Sequence, residues 1–155
     1  MFVWRLSKAK YAATAFTGIG ATKVGGRFIS INSPPVVYAA CDTLALALLE
    51  VLVHLHDRIC PPDLSYIRAE IPDSVSREIL EIDKLPINWA MWPHPDSTRE
   101  MGNDWLTRQS SCLLLIPSAV TRVDFNCLLN PQHPDFASIV IDPPTPLGFD
   151  RRLLN

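Results

Sequence analysis

Fourteen prolines in 155 residues, gathered at 34–35, 61–62, 93–95 and 143–146, constrain this chain more than any other feature. Proline lacks a backbone donor and fixes φ, so it is excluded from helix interiors and central strands. The clusters therefore divide the chain into short elements joined by stiff loops, which disfavours a purely helical bundle. At this length a single domain over residues 1–155, with a real hydrophobic core, is expected.

Between the prolines, residues 2–6 read as a first strand, followed by a loop through Gly18-Ile19-Gly20 and Gly25-Gly26, where bare backbone permits unusual geometry or close approach. Residues 35–40 are apolar enough for a buried strand. Asp42 or Thr43 then offers an N-cap for a helix running to about His56. That helix is apolar almost all round, so it is expected to be the central one. Residues 65–71 alternate, with Tyr66, Arg68 and Glu70 on one side and Ile67, Ala69 and Ile71 on the other, the period of a half-buried strand. A short amphipathic helix over 75–82, a loop rich in Trp and Pro, a helix over 97–109 and an apolar strand over 112–116 follow. A strand at 122–125, a loop over 126–136 and a strand at 137–141 complete the reading. Short strands with few helices long enough for crossovers predict an α+β fold with a mixed, mostly antiparallel sheet.

Charged residues make up 19% of the chain and the net charge is −2, so there is no basic excess to hold nucleic acid. No apolar run reaches the roughly 18 to 20 residues that span a bilayer, and the first residues lack the order of a secretory signal; a cytoplasmic protein is expected. Cys41, Cys60, Cys112 and Cys127 form no CxxC pair and lack a nearby histidine, so buried reduced thiols and no metal site are expected. Lys23 stands where a dinucleotide fingerprint beginning at Gly18 needs its third glycine, and no GxxxxGK[ST] occurs.

Four polar side chains stand in apolar surroundings: Arg27 after Gly25-Gly26, Tyr38 closing Pro34-Pro35-Val36-Val37, Glu50 within residues 44–53, and Ser118 within residues 113–120. A carboxylate among core-forming side chains costs several kcal/mol unless paired or protonated. Glu50 and His54 are four apart on one helix and share a face, so a buried ion pair, a backbone-bonded carboxylate and a carboxylate facing a cleft all remain open. His54 and His56 point to different faces and cannot chelate together. Arg27 reads either as a structural arginine or, beside two glycines, as a fork for a phosphate oxygen. Ser118 lacks a GxSxG elbow and alone reads as a turn former.

The order Gly-Gly-Arg27, Val-Val-Tyr38, Leu-Ala-Leu-Leu-Glu50-Val-Leu-Val-His54, Pro-Ser118-Ala, Asn130-Pro-Gln-His133-Pro and Phe149-Asp-Arg-Arg-Leu153 resembles the RES domain family across nearly the whole chain. The resemblance implies a fold like that of ADP-ribosylating toxins, and the toxin half of a bacterial type II toxin-antitoxin pair that consumes NAD. NAD is then a substrate rather than a resident cofactor, with a cognate Xre-type helix-turn-helix antitoxin as partner and a homodimer conceivable from exposed Trp-Pro loops. By the same resemblance Glu50 is catalytic, Arg27 grips the pyrophosphate, Tyr38 meets the nicotinamide end, and Ser118 bonds ribose or phosphate. The family usually follows its arginine with Trp-Asn, and here Phe28-Ile29 stand instead. That departure leaves a catalytically weak, antitoxin-binding member as one alternative and a protein-directed ADP-ribosyltransferase as another. Arginine-directed transferases typically carry an acidic or amide residue two positions before the glutamate, where this chain has Leu48, which favours water or phosphate as acceptor.

Overall fold

Eight strands form one sheet in the order β4-β5-β6-β2-β1-β3-β7, with β8 also on β3. The computed structural model describes residues 1–55 and 62–154; the expectations for His56 and Cys60 lie outside the described residues. The strands are β1 (Phe2–Lys8), β2 (Val37–Cys41), β3 (Leu64–Glu70), β4 (Arg77–Ile79), β5 (Leu113–Pro117), β6 (Phe125–Leu129), β7 (Val140–Ile141) and β8 (Thr145–Pro146). Helices α1 (Ala9–Ala12), α2 (Ile19–Val24), α3 (Leu44–Leu52) and α4 (Asp96–Arg108) lie between them. Among the described residues only β4 and β5 pair in parallel; the other pairings are antiparallel. The fold is thus α+β with a mixed, mostly antiparallel sheet, as the sequence predicts.

Alternation along the strands sorts the core onto two faces. On one, Val3, Val37, Ala39, Ile67, Ala69 and Leu129 pack with Ala12 and Phe16. On the other, Leu114, Ile116 and Leu128 lie with Trp105 and Leu106 of α4. Helix α3 covers the same side further along the sheet, packing Leu46 and Ala47 on Ala40, Trp4 and Leu6. Among the described residues no helix is long and apolar enough to cross a membrane.

Four local expectations are corrected. The loop expected after β1 contains α1, a 3-10 turn at Ala15–Thr17 and α2. Residues 75–82 form no helix: Leu113 N donates to Ser76 O and Leu80 N to Leu115 O, so the segment becomes the short edge strand β4 because β5 satisfies its backbone. The strand expected at 122–125 instead occupies Phe125–Leu129, inside the segment read as a loop. Helix α3 ends at Leu52 and is not central. Leu49 is 42% exposed and Val53, just beyond it, 56%, so the apolar helix is a wall rather than a core element.

Candidate active site

Strands β1 and β2 share only the pairs Val3↔Cys41 and Trp4↔Ala40. Beyond them β1 continues along β3 as far as Lys8↔Leu64, while β2 runs along β6 to Val37↔Leu129. The sheet splits at this point, and a cleft of about 1430 Å³ opens there, with Tyr38 and Leu128 on its floor and Glu50 on the α3 wall. Ordinary small-molecule pockets measure roughly 300 to 1,000 Å³, so this one has room for a dinucleotide.

Thr43 caps α3, its hydroxyl accepting from Leu46 N, and the helix then delivers Glu50 to the cleft. Glu50 Oε1 accepts from Ser118 Oγ at 2.6 Å and from Asn126 Nδ2 at 2.6 Å. Both donors are 0% exposed. The Ser118 hydroxyl also accepts from Val120 N and Thr121 N, each at 3.2 Å, so its hydrogen-bonding directions are used within the chain and none is left for a ribose or phosphate. Glu50 does not pair with His54, whose ring instead lies 5.9 Å from that of Trp92. Burial pushes the Tyr38 phenol well above its usual range, and the charge of Glu50 and a side-chain hydrogen bond to it push the same way.

Arg27 is placed by α4. Gly25 takes φ +69°, which an L side chain rarely adopts, and turns the chain ahead of the arginine. Thr98 Oγ1 bonds Arg27 O at 2.7 Å, Arg99 Nε donates to Gly26 O at 3.3 Å, and the Asn103 side chain bonds both Ser30 N and Ser30 Oγ. A Cβ on Gly102 would stand 1.7 Å from Phe28 O, so the middle of α4 presses directly on the backbone beside Arg27. Arg27 Nη1 donates to Trp89 O and, at 2.8 Å, to Met91 O. Burial lowers this guanidinium below its ordinary value, Tyr38 and Glu50 pull it back up, and Arg122 adds to the fall. Phe28 and Ile29, at the positions where Trp-Asn is usual, are buried in the same cluster as Trp105 and Leu106.

Two residues escaped the sequence reading. Arg5 fills the split between β1 and β2: Nη1 donates to Tyr38 O, while Nε is buried with no partner. Burial lowers its guanidinium, with no carboxylate among the described residues to offset the loss of water. Asn126 is the second, with Nδ2 on Glu50 and Oδ1 buried without a partner. Both carry the signal that marked Glu50, a polar residue inside an apolar strand: Phe2-Val3-Trp4-Arg5-Leu6 and Phe125-Asn126-Cys127-Leu128-Leu129. The structure therefore brings Arg27, Tyr38, Glu50 and Arg5 to one cleft, with Ser118 and Asn126 behind Glu50. Among the described residues Cys41, Cys112 and Cys127 are free and buried, and no group of three His, Cys, Asp or Glu side chains is placed to hold a metal.

Comparison with known proteins bears on the family and the fold. The RES domain matches residues 2–150. The chain is 37% identical over 136 residues to "Toxin Res" of Photorhabdus laumondii, covering 88% of this chain and 85% of that protein. It is 35% identical over 140 residues to the "Prs ADP-ribosylating toxin" of Sphingobium sp., covering 88% and 86% respectively. The fold is similar to a chain in the crystal structure of the M. tuberculosis MbcT-MbcA toxin-antitoxin complex, with a TM-score of 0.73 at 16% identity, over 94% of this chain and 83% of that one. This chain belongs to the RES domain family, the family of the Res toxins that it resembles over most of its length.

Proposed function

We propose that this protein is the toxin of a toxin-antitoxin pair and that it consumes NAD by cleaving the bond between nicotinamide and ribose. The observation that carries the reading is a carboxylate on a cleft wall, fixed through one oxygen by two fully buried donors, in a cleft also lined by Arg5, Arg27 and Arg99. Cleavage sends the electron pair of the C1′–N bond to the pyridinium nitrogen and leaves positive charge on the ribose, as in glycoside hydrolysis. Glu50 stabilises that charge; preorganised groups of this kind commonly contribute a factor of roughly 10² to 10³ each. Water or phosphate then forms the new bond to C1′ and releases its proton. Ser118 and Asn126 orient Glu50 without touching the substrate. Arg27 and Arg5 hold the pyrophosphate from two sides of the cleft, and Tyr38 lies under the reacting ribose and nicotinamide.

A cognate Xre-type antitoxin neutralises the toxin by binding it, and expression of this chain alone lowers cellular NAD and arrests growth. Incubation of purified protein with NAD, with and without phosphate, followed by mass spectrometry of the products, tests the chemistry. Free nicotinamide with ADP-ribose or its phosphorylated counterpart is expected, and no nicotinamide release under either condition refutes the reading. The name of the Sphingobium relative favours one second reading, transfer of ADP-ribose to a protein; labelled NAD would then mark a macromolecule instead of a small product.

A further inference from the structure

Through the carbonyls of Trp89 and Met91, Arg27 ties down the segment that carries Trp92 and His94. The Trp92 and His94 rings meet edge to face, with centroids 4.4 Å apart and planes at 89°. Both line the cleft that Glu50 faces, as does His54, two residues past the end of α3. Trp92 is 69% exposed, so much of its surface is open to solvent at the edge of the chain's packing, and it lines the cleft. His94 Nδ1 is buried with no hydrogen-bond partner among the described residues. Removal from water, then Arg27, Arg99 and His54, lower the His94 imidazole to about 4, so near neutral pH it is uncharged and has one donor and one acceptor.

From this placement we infer that Trp92 and His94 hold the departing base: the indole takes the flat pyridinium ring and the His94 imidazole hydrogen-bonds its carboxamide. The inference rests on the NAD reading above and names the residues that recognise the leaving group. Its chemical logic lies in the charge. Before cleavage the pyridinium is cationic and is attracted to an indole face, and an uncharged imidazole does not repel it. When the C1′–N bond breaks, the pair passes to the ring nitrogen, the base becomes neutral, and the cation–π attraction is lost. The platform therefore binds the substrate base better than the product base and eases release.

The test is steady-state nicotinamide release by wild type, Trp92→Ala, Trp92→Phe and His94→Ala, with inhibition constants for added nicotinamide and for ADP-ribose, which lacks the base. Trp92→Ala is expected to raise KM for NAD by about tenfold, the effect of losing one stacked base, and the inhibition constant of the uncharged nicotinamide by a smaller factor. The ADP-ribose constant should stay unchanged, and Trp92→Phe should recover most of the loss. His94→Ala should erase the preference for NAD over an analogue whose pyridine lacks the carboxamide. Equal losses for nicotinamide and ADP-ribose, or constants that do not move, overturn the inference while leaving NAD cleavage standing. A wild-type protein that releases no nicotinamide overturns both.

Discussion

Removing one hydroxyl, Ser118→Ala, asks directly how the Glu50 carboxylate is held. The Ser118 oxygen is fully buried and lies 2.6 Å from Glu50 Oε1, a length characteristic of a charge-assisted bond. Losing such a bond costs roughly 1.5 to 3 kcal/mol. The vacated space is one oxygen atom, so no significant cavity term is added, and Val120 N and Thr121 N, each 3.2 Å away, sit on half-buried residues that water reaches. For a chain of this size each kcal/mol lowers Tm by about 2–4 °C, which places the variant roughly 3–12 °C below wild type. Asn126 still holds Oε1, so Glu50 stays in the cleft but swings more freely, and kcat for nicotinamide release should fall by a factor of about 10². KM should barely change, because the serine touches no substrate. Thermal melts and steady-state kinetics on the same preparations decide the matter. A tenfold rise in KM with kcat intact would return Ser118 to the ligand-binding role expected from the resemblance. A lower Tm with unchanged kinetics would show that the orientation of Glu50 is irrelevant to turnover.

Glu50→Gln keeps an acceptor for Ser118 and Asn126 but removes the charge; NAD cleavage and growth arrest should disappear while the melting curve stays close to wild type, and a fully toxic variant would make Glu50 structural. Arg5→Met replaces a buried cation that has an unpartnered Nε by an apolar chain of similar length. Its Tm should hold or rise, since no carboxylate among the described residues neutralises that charge, while KM for NAD climbs at least about tenfold; a collapsed Tm with normal KM would make Arg5 purely structural. The depressed His94 imidazole also makes stability depend on pH. Between its ordinary value of 6.5 and about 4 the unfolded chain takes up a proton that the folded chain does not, so stability is complete above about 6.5 and declines as pH falls towards 4. Urea melts at pH 7 and pH 5 should show that decline weakened in His94→Asn, and an identical decline would assign it to other groups.

The parts of the fold that could be read in advance were those where local pattern and tertiary demand coincide. The alternation of β3 and the unbroken apolar run of β5 are examples. Residues 75–82 misled because their amphipathic spacing suits a short helix, whereas the unpaired edge of β5 claims their backbone. Helix α3 misled because its apolar outer side, Leu49 and Val53, faces away from the packed sheet. At the candidate site the signal was a polar residue in an apolar setting, and it was applied too narrowly. It located Glu50, while Arg5 and Asn126 met the same criterion unnoticed because strands of five to seven residues offer fewer apolar neighbours than a helix. The work of α4 left almost no trace in the sequence. Thr98, Arg99, Gly102 and Asn103 look like one side of an ordinary amphipathic helix, and only their contacts with residues 26–30 connect them to Arg27.

Gly102 also bears on how a lethal gene is disarmed. Any side chain there would place its Cβ 1.7 Å from Phe28 O and must push that carbonyl away, and the shift passes along three backbone bonds to Arg27. Colonies that survive unopposed expression should consequently carry lesions at this helical glycine as often as at the carboxylate itself, although it has no contact with the nucleotide. Deep sequencing of such survivors would then show an intolerant point in the middle of an otherwise permissive helix.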